Sequence, residues 1–334
     1  MVFGLCGTLS SWSGGEGVLR IALQNLEPKY RNYALEKIRM HHEAKGDHVC
    51  NYDPELPDLY DHIYCSSIFT FTDKSAADPR AICGGTGFDI KSKLSDEIDT
   101  MRPKFNYGFC SRGCVRNCEF CVVREKEGYI RPEADIFDIW DGQSKEIVLY
   151  DNNILALPDH FRMICQQIHD KRIKVDFNQG LDIRLMDNDI AAILSTKYIR
   201  HFQYHFAFDY SSLDSLVEEK IKILKSHGIN RSTFYVLVGF PNGNSISEDI
   251  EDALYRLNLL KALGQNAYVM RYRKISDSQP ESLITKDTEK YYIPLANWGS
   301  VHAAFRSMDF LTQYFDHPRG QRYLKHYQEI GLIS

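Results

Sequence analysis

The stretch TFYVLVGFPNGNSISEDIEDALYRLNLLKALGQNAYVMRY, residues 233–272, predicts a strand, a helix and a second strand in succession. Its first part, TFYVLVGF, and its last, AYVMRY, are apolar runs of strand length. Between them, Ser245 and Glu248 have the spacing of a capping box, which starts a helix, and Gly264 is placed to end it. The apolar residues of this helix recur at helical spacing: Ile250, Leu254 and Leu257. A unit of this kind is typical of α/β folds.

The same unit recurs through the middle of the chain. Four earlier runs of strand length are NYGFC (106–110), EIVLY (146–150), KVDFN (174–178) and FQYHFAFD (202–209). With the two strands above they make six strands of the βα type. Strands that alternate with helices pair in parallel through right-handed crossovers. We therefore predict an α/β fold, either an open doubly wound sheet or a partial (β/α)6 barrel of the TIM type, with its chemistry at the carboxyl ends of the strands.

The chain divides into three predicted parts. Residues 1–105 contain a predicted helix within 32–49 and a predicted strand within 61–69, which indicates a small Rossmann-like domain. Residues 106–273 hold the six-strand array and form the predicted barrel. Residues 274–334 are rich in aromatic residues and form a predicted helical extension that packs against it.

Composition narrows the class of protein. The chain has 334 residues, of which 43% are hydrophobic and 25% charged, as is ordinary for a globular protein. It shows no apolar run of membrane-spanning length and no basic-then-apolar leader, so we predict a cytoplasmic protein without a membrane partner. The formal net charge of −5 argues against a protein coated with nucleic acid over its whole surface, although a local basic patch stays compatible with it.

Four of the nine cysteines lie in GFCSRGCVRNCEFCVV, residues 108–123, with the spacing Cys110-x3-Cys114-x3-Cys118-x2-Cys121. A structural zinc site normally pairs two short knuckles across a longer loop, which this spacing lacks. Four buried free cysteines fit poorly with the Arg, Asn, Glu and Gly residues around them. Cys114, Cys118 and Cys121 alone, on one short loop, can hold three irons of a [4Fe–4S] cluster and leave the fourth iron open.

This loop resembles that of the radical S-adenosylmethionine (SAM) superfamily. The resemblance rests on the C-x3-C-x2-C motif, on Phe120 just before the last cysteine, and on a position after the first strand of a six-fold βα array. It implies that Cys114, Cys118 and Cys121 ligate a [4Fe–4S] cluster whose open iron binds SAM. One electron then cleaves SAM to methionine and a 5′-deoxyadenosyl radical that abstracts hydrogen from a substrate. A reductant of the flavodoxin or ferredoxin type is implied as a partner. The substrate is open, with a nucleic acid or a nucleotide among the candidates.

A second resemblance covers nearly the whole chain as far as residue 273. The segments YALEKIRMHHEAKGDHV, YDHIYCSSIFTFT, GGTGFDIKSKL, QGLDIR and YVMRYR resemble an uncharacterised group of radical SAM proteins from phages and bacteria. The layout, with a small Rossmann-like domain before the barrel, also resembles the cobalamin-binding and methylthiotransferase branches. The group implies no substrate.

The resemblance also indicates side chains that would bind the cofactor. These candidates are Phe120, Asn152, Gln179, Asp182, Arg184, Asp209 and Gly239. Arg184 can pair bidentately with the methionine carboxylate of SAM, and Asp182 or Gln179 can hold its ribose hydroxyls. An Asp182–Arg184 surface pair is the alternative. Phe120 and Gly239 are expected near the adenine.

Several of these candidates have a purely structural alternative. Asn152, which Asn153 follows, contacts SAM or substrate, or else forms a turn or a helix cap. Asp209 either belongs to the site or caps the helix after it. Gly239 allows a close approach to adenine or only marks a bend. In the last strand, Arg271 can meet an anionic substrate.

The other cysteines and the other functions are weighed in the same way. Cys6, Cys50, Cys65 and Cys83 raise the question of a second cluster, as in methylthiotransferases, but their spacing does not match, and we predict ordinary buried cysteines. Cys110 is predicted to pack in the barrel.

Sulfur insertion of the tRNA methylthiotransferase type stays open, as does cobalamin-dependent methylation, although no Asp-x-His-x-x-Gly run occurs. From another class, a non-catalytic iron–sulfur or zinc protein is the alternative, but it would need no polar residues at the strand ends.

Overall fold

The computed structural model describes residues 17–199 and 204–333. The chain divides into two compact units, Met1–Lys104 and Phe105–Ser334, a division one residue from the boundary that the sequence predicts. Both units are of mixed α/β structure with parallel sheets. Among the described residues, no helix has the length and apolar character needed to cross a membrane.

The first unit contains one four-stranded parallel sheet in the order β2-β1-β3-β4. Its elements are β1 Arg20–Asn25, α1 Tyr33–Ala44, β2 His48–Asn51, β3 His62–Ser66, β4 Ile82–Gly84 and α2 Asp96–Asp99. The Asn32 side chain caps α1 by accepting from the N–H of Leu35. Gly46, with φ of +86°, turns the chain from α1 into β2, as the sequence predicts.

The second unit holds the remaining elements. Its strands are β5 Tyr107–Gly108, β6 Ser111–Arg112, β7 Arg131–Pro132, β8 Glu146–Leu149, β9 Lys174–Phe177, β10 His205–Ala207, β11 Thr233–Val238 and β12 Asn266–Arg271. Its helices are α3 Val123–Glu127, α4 Ile136–Ile139, α5 Pro158–Lys171, α6 Asn188–Leu194, α7 Asp214–Ser226, α8 Ile246–Ala262, α9 Glu289–Gly299, α10 His302–Ser307, α11 Pro318–Gln321 and α12 Leu324–Glu329.

The six strands of the array form two three-stranded parallel sheets in chain order, β5-β8-β9 and β10-β11-β12. A parallel bridge between Val175 and Ile199 continues the pairing from β9 to the segment that precedes β10. The carboxyl ends of β5, β8 and β9 therefore lie side by side, and the segments that follow them can meet. The short strands β6 and β7 pair antiparallel beside the cysteine loop.

Two strands of the array are much shorter in the structure than their sequence runs. NYGFC predicts a strand over 106–110, whereas β5 comprises only Tyr107–Gly108. Asn106 has φ of +65°, a conformation that does not continue a strand, and the N–H of Cys110 donates to the Asp151 carboxylate rather than to a neighbouring strand. The predicted run 202–209 forms the strand β10 only over His205–Ala207, and its residues 202 and 203 lie outside the described residues.

A large hydrophobic core runs through most of the second unit. The apolar face predicted for α8 is buried in it, including Leu257, and α5 buries Ile164 in the same core. The aromatic residues of the C-terminal segment join the same core, with Trp298 and Phe310 fully buried. The predicted extension 274–334 is therefore packed into the unit that carries the cysteine loop.

Candidate functional site

A buried carboxylate anchors the start of the cysteine loop. Asp151, which directly follows β8, accepts from the Oγ of Ser111 at 2.5 Å, from the N–H of Ser111, and from the N–H of Cys110 at 3.2 Å. His160 contacts the carbonyl of Cys110 at 2.8 Å from the other side. Cys110 is fully buried, and burial raises the pKa of its thiol. The structure thus places Cys110 in the packing beneath the loop.

The loop then turns sharply at Gly113. Its φ is +81°, and a Cβ there would lie 2.5 Å from the Tyr129 carbonyl, so only glycine fits. The N–H of Gly113 donates to Glu127 at 3.0 Å, and Asn152 donates to the same carboxylate oxygen at 2.8 Å. Glu127 also pairs with Arg112 at 3.3 Å. Asn152 therefore holds the base of the loop through Glu127.

Beyond this turn follow the three thiols of the motif, and they act on one another electrostatically. Burial raises the pKa of Cys121, and the thiols of Cys118 and Cys114 raise it further. Burial likewise raises the pKa of Cys118, against an opposing effect of Arg184. For Cys118 and Cys121 the thiolate form is thus disfavoured, because burial and the neighbouring thiols and acids outweigh the effect of nearby Arg184 on Cys118.

Asn153, the second asparagine after β8, reaches the thiols directly. Its Nδ2 lies 3.5 Å from the sulfur of Cys114 and 3.3 Å from the carboxylate of Asp182, while its Oδ1 is buried without a hydrogen-bond partner among the described residues. The sequence marks both asparagines at this strand end. Only the structure separates their surroundings, since Asn152 bonds to Glu127 and Asn153 to the cysteine loop.

Asp182 is the centre of a network beside the cysteines. Its carboxylate accepts from Arg184 Nε at 2.6 Å and Arg184 Nη2 at 3.1 Å, from Arg116 Nε at 3.0 Å, and from Asn153. The side chain is only 5% exposed. Burial by itself raises the pKa of Asp182, but the hydrogen bonds and charges of Arg184 and Arg116 hold it below its usual value. The Asp182–Arg184 pair exists, but it is part of a three-residue ionic cluster that includes an arginine of the loop.

Gln179 lies apart from this network. Its side chain is exposed, in the segment between β9 and Asp182. Arg116, by contrast, has no pattern that marks it in the sequence other than its place between two motif cysteines. Its basic character was the available signal, because thiolates on a loop are stabilised by a cation nearby.

A cavity of about 340 Å³ opens at the carboxyl ends of β10 and β11. Its lining includes Asp209, Tyr210, Phe240, Asn242 and Arg256. The buried guanidinium of Arg256 donates to the carbonyls of Phe208 and Leu237 at 2.9 and 3.0 Å. Burial raises the pKa of Asp209 to about 6, although Arg256 and Arg184 oppose this.

The capping alternative for Asp209 is wrong. The short 3₁₀ turn Ser211–Leu213 and the helix α7 that follows both begin without a side-chain cap. The carboxylate lines the cavity instead.

Phe120 connects the loop to this cavity. Its ring lies 6.0 Å from that of Phe240 and 6.1 Å from that of Tyr210, both of which line the cavity. Gly239, with φ of +78°, has a different neighbour: a Cβ there would lie 2.4 Å from Ile284. Its N–H donates to Asp249 at 2.7 Å. Close packing of the 282–284 segment thus accounts for this glycine.

The described cysteines of the first unit do not all follow the prediction of ordinary buried residues. Cys65 is buried, and burial raises its pKa to about 12. Cys50 is half-buried and Cys83 is exposed. Cys83 lies in β4, the strand at one edge of the four-stranded sheet. Cys6 lies outside the described residues.

The donor set of the loop fits an iron–sulfur cluster by its chemistry. Within residues 17–199 and 204–333, no group of three or more His, Cys, Asp or Glu side chains stands ready to hold a metal ion. The three thiols nevertheless share one loop, and Cys114 and Cys118 raise the pKa of Cys121. The Asn153 amide contacts the Cys114 sulfur, and its oxygen has no hydrogen-bond partner within the described part of the chain. Positive charge from irons would favour the thiolate form that burial now disfavours.

A scan against protein-family models matches none, and a search of curated proteins finds no match. The functional argument therefore rests on the residues and their geometry.

Proposed function

We propose that the protein is a radical SAM enzyme. In this proposal Phe105–Ser334 is a partial (β/α)6 barrel, Met1–Lys104 is a Rossmann-like domain that has lost cobalamin binding, and the protein works in the cytoplasm. The observation that carries the proposal is the C-x3-C-x2-C loop after the first of six parallel strands, next to the cluster of Arg116, Asp182 and Arg184.

The chain's own residues divide the work of holding two cofactors. Cys114, Cys118 and Cys121 hold a [4Fe–4S] cluster, and Asp151 fixes the start of their loop through Ser111. When bound, the cluster supplies one electron that cleaves SAM reductively to methionine and a 5′-deoxyadenosyl radical, which abstracts hydrogen from a substrate.

The two arginines bind the carboxylate of SAM. Both carboxylate oxygens of Asp182 already accept hydrogen bonds from protein donors. We therefore propose that Asp182 positions Arg116 and Arg184 and does not contact ribose. Arg184 keeps Nη1 outside these hydrogen bonds, and Arg116 is about a third exposed, at 36%. Arg116, within the cysteine loop, and Arg184, beside it, therefore both have donors left for a ligand, and paired guanidinium groups suit a carboxylate.

The cavity at β10 and β11 takes the adenosyl group. Asp209 and Asn242 supply acceptors and donors for ribose hydroxyls, while Phe120 and Phe240 supply aromatic surface for adenine. Gln179 is exposed and lies apart from the arginine network, so we give it no role in holding SAM. The cavity's polar and aromatic lining together suit a nucleoside.

The test is the formation of 5′-deoxyadenosine. Protein reconstituted anaerobically with iron and sulfide is reduced with dithionite in the presence of SAM, and 5′-deoxyadenosine and methionine are measured by chromatography. We expect both products in proportion to bound iron, none from Cys114→Ala, and unchanged amounts from Cys83→Ala, which alters an exposed cysteine of the first unit. Absence of 5′-deoxyadenosine from fully loaded protein, or zinc as the sole metal, would favour the non-catalytic reading.

A further inference from the structure

The β10-β11-β12 sheet has two different faces. Along β11 and β12, alternate residues such as Phe234, Val236 and Val269 are buried in the core beneath the helices. On the opposite face of β12, the Tyr268 side chain is 49% exposed and Met270 is 41% exposed. Parallel sheets are normally covered on both faces, so an uncovered apolar face indicates a place for a ligand.

Aromatic rings line this open face. The rings of His205 and Tyr235 stack at 5.5 Å with an interplanar angle of 12°, and Tyr268 meets Tyr235 edge-on at 5.7 Å. The rings of Tyr235 and Tyr268 are neighbours because these two residues pair directly in the β11–β12 register. Tyr268 is thus held by an aromatic neighbour while much of its ring stays open to solvent.

The face also carries a polar edge. Nδ1 of His205 is buried and has no hydrogen-bond partner among the described residues. The pKa of His205 is lowered by burial, with the Asp176 carboxylate of β9 opposing, so His205 is held neutral close to an acid. A neutral imidazole nitrogen can donate or accept according to its tautomer.

The open region ends beneath the cysteine loop. At the carboxyl end of the same face, Leu237, Phe240 and Tyr272 form a small apolar cluster, and Phe120 of the loop packs against it. A ligand seated on Tyr268 would therefore lie on the face that the loop closes at one end.

We propose that this face, formed by His205, Tyr235, Tyr268 and Met270, binds an uncharged planar ring of the nucleobase class as the substrate group of the enzyme proposed above. That the ring belongs to a substrate rests on the proposed function. That the face binds such a ring rests on the face alone. Tyr268 and the Met270 thioether supply stacking surface, and His205 Nδ1 supplies a hydrogen bond to the ring edge.

The side chains of this face favour an uncharged ring over a phosphate group. The open-face positions of β10, β11 and β12 contain no Lys or Arg, and the Asp176 carboxylate lies beside His205. Arg271 has the opposite parity in β12 and instead lines a separate cavity with Lys274 and Lys286. A phosphate placed on Tyr268 would thus find no cationic side chain on the open face of these strands, whereas a base needs none.

The test measures binding to the purified full-length protein by equilibrium dialysis. The probes are adenosine, guanosine, cytidine and uridine, and a single-stranded RNA and a single-stranded DNA of mixed sequence, all with SAM in excess. We expect at least one probe to bind, Tyr268→Ala to weaken it by about fivefold or more, and Tyr268→Phe to keep it. Tyr255→Ala, which removes an equally exposed tyrosine from α8, should leave binding unchanged.

The outcomes separate the sources of the ring and the two proposals. Binding of a nucleoside assigns a free base, and binding of an oligonucleotide alone assigns a base within a strand. No binding by any probe, equal effects of Tyr268→Ala and Tyr255→Ala, or displacement by SAM would overturn the inference. If binding depends on Tyr268 but no 5′-deoxyadenosine forms, the inference on the face holds and the proposed function fails.

Discussion

At the scale of single residues, the site depends on two acids with opposite surroundings. Asp182 is surrounded by guanidinium groups, and they keep its pKa low despite burial. Asp151 is 3% exposed and has hydrogen bonds from Ser111 and Cys110, and burial raises its pKa to about 6. The first acid fixes two cations beside the thiols, and the second fixes the backbone from which the thiol loop starts.

Single cysteine variants should separate ligands from packing residues. We expect Cys114→Ala, Cys118→Ala and Cys121→Ala each to lose most of the iron and the EPR signal of the reduced cluster, because each removes one of three thiolates. Cys110→Ser should retain iron, since Cys110 is buried beneath the loop. Iron loss in Cys110→Ser equal to that in Cys114→Ala would contradict this assignment.

The arginine cluster predicts a separation of cofactor binding from cluster binding. Arg184→Ala should weaken SAM binding, measured by equilibrium dialysis, by tenfold or more, on the order of the 1.5–3 kcal/mol of a charged hydrogen bond. Its iron content should match that of the wild type, because the three cysteines that we propose as iron ligands are all retained. Arg162→Ala, on the exposed surface of α5, is the control. Unchanged SAM affinity in Arg184→Ala would remove the carboxylate role.

At the scale of elements, the longest helix shows how local sequence positions the site. The Ser245 side chain accepts from the N–H of Glu248, and the Glu248 carboxylate accepts from the N–H of Ser245. The predicted capping box is therefore confirmed. The helix α8 that starts there carries Asp249 and Arg256, which line the cavity at β11. The cap therefore fixes where along the chain these two side chains meet the strand ends.

Loss of this cap should cost stability. We expect Ser245→Ala to lower the free energy of unfolding by about 0.5–2 kcal/mol, because an N–H of the first turn loses its acceptor. Urea denaturation followed by circular dichroism measures the change. Ser226→Ala, at the end of α7, where the hydroxyl donates to the Ile223 carbonyl, should change stability less. A smaller effect at Ser245 than at Ser226 would argue against the capping box as a stabilising feature.

At the scale of the whole molecule, buried acids make stability depend on pH. The folded-state pKa of Asp151 is raised from 3.8 to about 6, so between these values the folded protein binds more protons than the unfolded chain. The contribution of Asp151 to stability is therefore greatest at low pH and falls as the pH rises through 6, by up to about 3 kcal/mol.

Comparison with Asp151→Asn isolates this contribution, since the amide does not titrate. We expect the stability of the wild type relative to the variant, from urea denaturation of the metal-free proteins, to decrease between pH 4 and pH 7. Asp159→Asn, which alters an exposed acid in the first turn of α5, should show no such trend. A constant difference between wild type and Asp151→Asn across this range would refute the raised pKa.

The sequence by itself determined the local elements and the cysteine loop. The helix α1, within the predicted range 32–49, and the helix α8, between the capping box at Ser245 and the turn at Gly264, follow from apolar periodicity and turn chemistry. These signals act between residues a few positions apart, so they can be read without knowledge of the fold. The spacing of Cys114, Cys118 and Cys121 is likewise local, because one loop carries all three.

Only the tertiary structure decided which side chains meet at the strand ends. Arg116 and Asp182 are 66 residues apart in sequence, and Ser111 and Asp151 are 40 apart, yet each pair is in hydrogen-bond contact. The parallel register of β5, β8 and β9 brings them together, and no short-range pattern records it. The surroundings of Asn153 and Asp209 depend on the same parallel register. If a strand ended one residue earlier or later, each of these side chains would contact a different neighbour.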